Sequence, residues 1–292
     1  MGVESSGRIV VAGTFANSIL VLAGTTYDLT GNGLDDPYIA SFDQDGTSSW
    51  GHLLIGDSGV NVSDLAIAPN DDVVVVGSFA GSASFGGAAH DTEAFAQGFI
   101  TRFRGDGLYL SSHTVGDAFP AASYASGVAI AANGDVFVQG WQNLDTMNVN
   151  TQAYGVVFAL AADNREMWRA TQPGPIINEE VPGTITATPD GHVVSTAWRD
   201  FHSYAAGSLE MSSYDVAGTG ATASVGSRST LAPQNAAWSG ASAATQTGAV
   251  VVSGSLYGMV DFGFGPIGRD DSTHNQYGGV DSGLFVVVVD PL

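Results

Sequence analysis

The sequence predicts an all-β chain in which one unit of four strands is repeated five times. Three observations lead there. A short Val-rich phrase recurs along the 292 residues at a spacing of about 57 to about 64. The phrase mostly follows an Asn-Gly or Asp-Gly turn, or a close variant, and these supply the positive φ that a tight hairpin needs. Composition agrees, with 39 glycines, 13% charged residues and no apolar periodicity of the helical kind.

Strand A of each copy is a short apolar run before a polar turn. It reads Asp64-Leu65-Ala66-Ile67-Ala68, Gly127-Val128-Ala129-Ile130-Ala131 and Thr184-Ile185-Thr186-Ala187-Thr188. Strand B is the recurring phrase: Arg8 to Phe15, Val73 to Phe79, Val136 to Trp141, Val193 to Trp198 and Val250 to Ser255. Its near-continuous hydrophobicity marks a strand covered on both faces, as inside stacked sheets. A glycine closes the run at Gly13, Gly77, Gly140 and Gly254, and Ala197 takes its place in the fourth copy. Strand C follows a longer loop, as in Tyr38 to Phe42, Gly98 to Phe103, Val156 to Leu160, Leu209 to Tyr214 and Leu284 to Val289. A polar turn then leads to strand D, which carries Trp50, Tyr109 or Trp168 in three copies.

The order A-B-C-D with hairpin turns is the meander of one propeller blade. A Greek-key sandwich would not repeat the same order of words; a β-solenoid or an open array of sheets, or a fragment of a longer array, is the alternative. The expectation is a single β-propeller domain over 1–292 with about five four-stranded blades, at 1–63, 64–126, 127–183, 184–240 and 241–292. The first blade lacks most of strand A and the last lacks strand D, so both are incomplete.

These elements resemble the SBBP-type repeat: an apolar strand, Asn-Gly or Asp-Gly, a V-x-V-x-G-x-F strand, F-G-G, and a D-x-x-G-x-x-x-W turn. Phe85-Gly86-Gly87, Asp261-Phe262-Gly263 and the turn from Asp43 to Trp50 carry the likeness, which spans nearly the whole chain. It implies a propeller and a secreted or cell-surface location in bacteria, and no specific chemistry. No basic, hydrophobic leader stands at Met1-Gly2-Val3-Glu4, so a signal is absent from this chain.

Charge excludes several partners. Twenty-nine acidic residues face 8 basic ones, all arginine, for a formal net charge of −21. Nucleic acid and anionic membrane need cationic neutralisation of phosphate, so neither is expected as a partner. No apolar run has the length of a membrane span. Cysteine is absent, which removes disulfides, thiolate metal sites and a thiol nucleophile. There is also no G-x-S-x-G and no phosphate loop.

The sharpest local motif is Asp28-Leu29-Thr30-Gly31-Asn32-Gly33-Leu34-Asp35-Asp36, which resembles the calcium loop of FG-GAP repeats. Asp28, Thr30, Asn32 and Asp36 would give side-chain oxygens and Leu34 a carbonyl, while Gly31 and Gly33 let the chain curl around Ca2+. An ordinary polar B–C turn explains the same residues. Trp141 and Trp198 follow strand B in adjacent copies, either as a stacking platform for carbohydrate or as packing between blades. The fifth B–C loop carries His274 and Tyr277 and suits a sugar or plain solvation. The B–C loops should emerge on one face and bring Tyr27, Asp36, Phe95, Tyr154, Tyr204 and Tyr277 towards a shared ligand site.

Three functions follow. The first is a non-catalytic extracellular or surface binding module presenting its loop-rich face to a protein or glycan. The second is a propeller enzyme, a lyase or hydrolase, with Asp36, Asp91, Asp145, Asp200 and Asp270 ringing the channel mouth. The third is a structural spacer in a surface array.

Overall fold

The computed structural model describes residues 1–16, 19–28, 35–93, 95–115, 122–143, 153–162, 165–171, 181–199, 208–215, 223–228, 236–257, 259–261, 266–268 and 282–289. Every regular element among them is a strand, and no helix is long and apolar enough to cross a membrane.

The strands run in chain order as β1 (Gly2–Val3), β2 (Ile9–Ala16), the hairpin of β3 (Ile19–Leu22) and β4 (Thr25–Asp28), then β5 (Asp35–Phe42) and β6 (Ser48–Leu53). A short β7 (Ile55–Gly56) links to β8 (Val60–Ile67), β9 (Val73–Phe79), the small β10 (Ser82–Ser84) and β11 (Ala89–Asp91), β12 (Gln97–Phe103) and β13 (Tyr109–Val115). The third unit holds β14 (Ala122–Ile130), β15 (Val136–Asn143), β16 (Ala153–Leu160) and β17 (Glu166–Thr171). The fourth holds β18 (Val181–Ala187), β19 (His192–Arg199), β20 (Ser208–Asp215) and β21 (Ala223–Arg228). The fifth holds β22 (Ala236–Ala244), β23 (Val250–Tyr257), the pair β24 (Met259–Asp261) and β25 (Pro266–Gly268), and β26 (Ser282–Val289).

Pairing follows the repeat. Sheet 1 is β1-β2-β5-β6, sheet 2 is β8-β9-β12-β13, sheet 3 is β14 to β17 in sequence and sheet 4 is β18 to β21 in sequence. Sheet 5 joins β22, β23 and β26. All are antiparallel meanders, so the B–C connections leave from one edge and the A–B and C–D turns from the other. The A–B turns carry positive φ at Gly7, Gly134, Gly191 and Gly248, with Asp71 (φ 65°) at the matching place in sheet 2. Asp tolerates that conformation, and here Asp71 also accepts the Ser5 backbone N–H and hydroxyl from sheet 1.

Strand A begins earlier than its apolar core suggests, at Val60, Ala122, Val181 and Ala236. A β-bulge interrupts every A–B pair of sheets 2 to 5, and the strand keeps pairing beyond it. In sheets 2 and 3 the bulge brings the carbonyl oxygens of Asn61 and Tyr124 hard against the strand-B glycine. A Cβ built at Gly77 would lie 1.9 Å from Asn61 O, and one at Gly140 would lie 2.0 Å from Tyr124 O. Sheet 4 carries its bulge at the matching place in the register, which passes from Pro182↔Ala197 to Ile185↔Ser195 with Gly183 and Thr184 opposite Thr196. There the Thr184 N–H donates to Thr196 Oγ1 at 2.8 Å, which satisfies a group the bulge had unpaired.

Consecutive sheets pack face to face. One core joins Val10 and Ile39 of sheet 1 to Val73, Val75, Phe79 and Phe99 of sheet 2. A second joins Val74, Val76 and Ile100 to Val136, Val138 and Val156 of sheet 3. A third joins Phe137, Val157 and Ala159 to Ile185, Val193 and Tyr214 of sheet 4. Alternate residues of strands B and C therefore serve the preceding and the following sheet, which is why strand B reads as a continuous apolar run. Buried polar links tie the stack further. Gln139 Nε2 donates to Thr196 O at 2.7 Å, and Arg102 pairs with Asp72 at 2.9 Å while reaching Ala162 O of sheet 3.

Candidate functional site

A cleft of about 430 Å3 opens along the outer strand of sheet 1, where three pieces of chain converge. The back wall is β6 with Ser49, Trp50, Gly51 and His52; the two sides are the β3–β4 hairpin tip and the turn from Arg104 to Leu108 of sheet 2.

The hairpin is held in place by its own sequence. Ile19-Leu20-Val21-Leu22 pairs with Thr25-Thr26-Tyr27-Asp28 around Ala23-Gly24, both at positive φ (47° and 78°), as a two-residue hairpin turn requires. The Ala23 N–H donates to Ser48 Oγ at 2.8 Å and the Tyr27 hydroxyl to Gly51 O at 3.2 Å, so the hairpin lies along β6. Gly51 is needed there: a Cβ would meet Leu22 Cβ at 2.6 Å.

The opposite wall is locked by two ring nitrogens. Trp50 Nε1 donates to Gly105 O at 2.9 Å, and His52 Nε2 lies 2.7 Å from Gly107 O. Both rings stack on Phe103, at centroid distances of 6.2 and 4.8 Å. At the rim, Arg104 and Asp106 form a paired fork, with Nε donating to Oδ1 at 2.8 Å and a second contact from Nη2 to Oδ2. The guanidinium, with the Leu108 N–H, holds the Asp106 carboxyl down at about 2, so the fork is charged and locally neutral at ordinary pH. Half-exposed on both sides, it turns its remaining donors and acceptors to solvent. The cleft is thus lined by a planar polar fork, by the hydroxyl-bearing Thr25 and Ser49, and by the apolar Leu22, Trp50 and Leu108.

The residues singled out from the sequence are spread more widely. Asp28 ends β4 and is exposed, while Asp36 lies buried in β5. Thr30, Asn32 and Leu34 lie outside the described residues, as do His274, Tyr277, Tyr204, Asp145, Asp200 and Asp270. Trp141 stacks on its cross-strand neighbour Tyr124 at 4.0 Å and 13° and is half-buried. Trp198 and Tyr154 sit in β19 and β16, with side chains outside the described set. Phe95 is exposed before β12, and Asp91 is exposed in β11. Among the described residues, no group of three or more His, Asp or Glu side chains is arranged to hold a metal ion.

The cleft itself was not singled out from the sequence, although Leu22 and Thr25 flank an Ala-Gly pair between two β-branched runs, which is a hairpin signal. Its other half comes from the turn at 104–108, about eighty residues and more than one repeat later, and no local pattern links the two.

No known family matches the sequence, and no curated protein matches it. Among solved structures, one similar chain is a polysaccharide lyase, an ulvan lyase bound to -[GlcA(1-4)Rha3S]-, at 10% identity and a TM-score of 0.41. The alignment covers 87% of this chain and 65% of that one, so this chain spans less than two thirds of that structure's length. A likeness at that level carries no function from one protein to the other.

Proposed function

We propose that this protein is a non-catalytic, secreted or cell-surface binding module. Its five sheets are blades of the propeller type, the first and last incomplete, set in a row whose end faces on sheets 1 and 5 are left uncovered by the described residues. It takes a neutral oligosaccharide in the cleft beside β6. The observation that carries the reading is the half-exposed Arg104–Asp106 fork lining one cleft with Leu22, Trp50 and Leu108. A sugar presents adjacent hydroxyls, which pair with a guanidinium and a carboxylate, and a C–H face that suits apolar lining residues. The volume, about 430 Å3, lies within the range of small-molecule sites.

Charge selects the class of sugar. The fork is neutral overall, and a chain of net charge −21 repels polyanions, so an uncharged glycan is favoured over a uronate or sulfated one. The surface location rests on the SBBP resemblance of Phe85-Gly86-Gly87 and of Asp43 to Trp50. The test is an array of neutral and anionic oligosaccharides probed with the wild-type protein and with Arg104→Ala. Binding to neutral members, weakened at least about tenfold by Arg104→Ala (loss of a charge-assisted bond), supports the reading. Binding confined to anionic members, or unaffected by the substitution, overturns it.

A further inference from the structure

Each internal sheet has a rear face covered by the sheet before it and a forward face covered by the sheet after it. The register identifies the residues that serve each face. Ile39, Ile100, Val157 and Met211 pair with Ala12, Val76, Gln139 and Thr196, and so hold one and the same forward position in sheets 1 to 4. All four are buried, three of them at 0% exposure and Met211 at 6%. The same position in sheet 5 is Val286, opposite Ser253, and it is 68% exposed. Its neighbour Val288 is 56% exposed, where Ser41, Arg102, Ala159 and Ser213 are buried in the other sheets. Leu284, on the same side of β26, is 89% exposed. Phe285, which points the other way towards sheet 4, is buried. Three apolar side chains at alternate positions thus form the forward face of sheet 5, and none of the described residues covers them.

The mirror situation holds at the other end of the stack. Val73, Val136, Val193 and Val250 occupy one rear position in sheets 2 to 5, at 0, 0, 0 and 2% exposure. In sheet 1 that position is Ile9, 38% exposed, flanked on the same side by the half-buried Val11 and Tyr38. The uncovered forward face is of the kind that, at each internal interface, receives a rear face like the one sheet 1 leaves bare.

We propose that the forward face of sheet 5 (Leu284, Val286, Val288) docks on the rear face of sheet 1 (Ile9, Val11, Tyr38) of a second copy of this chain, head to tail. The mode is the one already used between the protein's own sheets, with apolar residues of strands B and C interleaved across the interface. The contact is heterologous, so each copy has one free donor face and one free acceptor face, and assemblies grow until they close. This association is independent of the glycan reading.

The test uses the full chain and two variants with a charge on an already exposed side chain, Val286→Glu and Ile9→Arg. Light scattering behind size exclusion measures mass at about 0.3 M salt, where the Debye length is short and repulsion between acidic copies is screened. The wild type is expected above monomer mass, rising with concentration, and each variant alone is expected as a monomer with wild-type circular dichroism. Mixing the two variants restores one unaltered interface, the forward face of Ile9→Arg on the rear face of Val286→Glu, and sets Glu against Arg at the other, so the mixture is expected as a dimer or larger. A wild type that stays monomeric at all concentrations overturns the proposal. So does assembly that survives in Val286→Glu alone, or a mixture that stays monomeric.

Discussion

Replacing the strand-B glycine in sheets 2 and 3 by alanine tests how the bulge and the repeat depend on each other. At Gly77 the new Cβ would sit 1.9 Å from Asn61 O and 2.9 Å from both Asn61 C and a Phe99 ring carbon. Ordinary C···O contacts are about 3.3–3.6 Å, so the carbonyl must retreat by roughly 1.5 Å. Neither neighbour gives cheaply, because one is backbone within the β8–β9 ladder and the other a buried ring. Overpacking of this kind costs about 1–3 kcal/mol, and a weakened ladder hydrogen bond adds about 1 kcal/mol. A total near 3 kcal/mol, against an unfolding entropy of about 0.6 kcal/mol/K for 292 residues, lowers Tm by about 5 °C. Gly140→Ala behaves alike, since its Cβ meets Tyr124 O at 2.0 Å. Ala197→Gly is the control: sheet 4 already holds an alanine at this place in the register, so only the backbone entropy of glycine is lost, about 1 kcal/mol or less. The assay is thermal melting followed by circular dichroism and calorimetry. Gly77→Ala and Gly140→Ala melting within 1 °C of the wild type, a difference of about 0.6 kcal/mol, would refute the reasoning.

Other perturbations have equally definite outcomes. Asp72→Ala leaves the buried Arg102 guanidinium without its carboxylate and is expected to cost about 3–5 kcal/mol, read as a fall in Tm of several degrees. Asp64 accepts the N–H groups of Val128 and Leu65, yet burial pushes its pKa up. A carboxyl raised in the folded state favours folding most below its unfolded value of 3.8, and that contribution is lost as pH rises through the folded value. Asp64→Asn keeps an oxygen for Val128 but turns its NH2 on the Leu65 N–H, so its Tm relative to the wild type is expected to stand higher at pH 7 than at pH 3; the reverse order contradicts this. If the loop from Asp28 to Asp36 holds calcium, melting rises by several degrees over EDTA in the wild type and not in Asp28→Asn. Equal melting with calcium and EDTA removes the metal from that loop.

Most of the fold was legible because the signals are local and repeated. Strand B shows as a Val-rich run since both its faces are covered, and the A–B turn shows as Asn-Gly or Asp-Gly since its φ is positive. The start of strand A was not legible. Beyond the bulge, residues such as Asn61 and Ser63 are exposed, so the apolar signal fades while pairing continues to Val60. The alanine at 197 was visible as a departure from the repeat, yet the register around it is the one that sheets 2, 3 and 5 keep around glycine. The cleft was not legible either. Trp50 reads as a repeated strand-D aromatic, and only the fold shows it binding Gly105 O across a sheet boundary with the β3–β4 hairpin alongside. The exposure of Val286 is likewise a property of position in the stack, because its sequence context matches that of a buried strand C.

The claim that a neutral oligosaccharide occupies the cleft beside β6 is tested most directly by hydrogen–deuterium exchange, with and without the best neutral oligosaccharide from the array. Slowed exchange concentrated in 22–25, 49–52 and 104–108 is predicted, because those segments form the cleft. Slowed exchange confined to other segments, with these three unchanged at saturating ligand, would contradict the account.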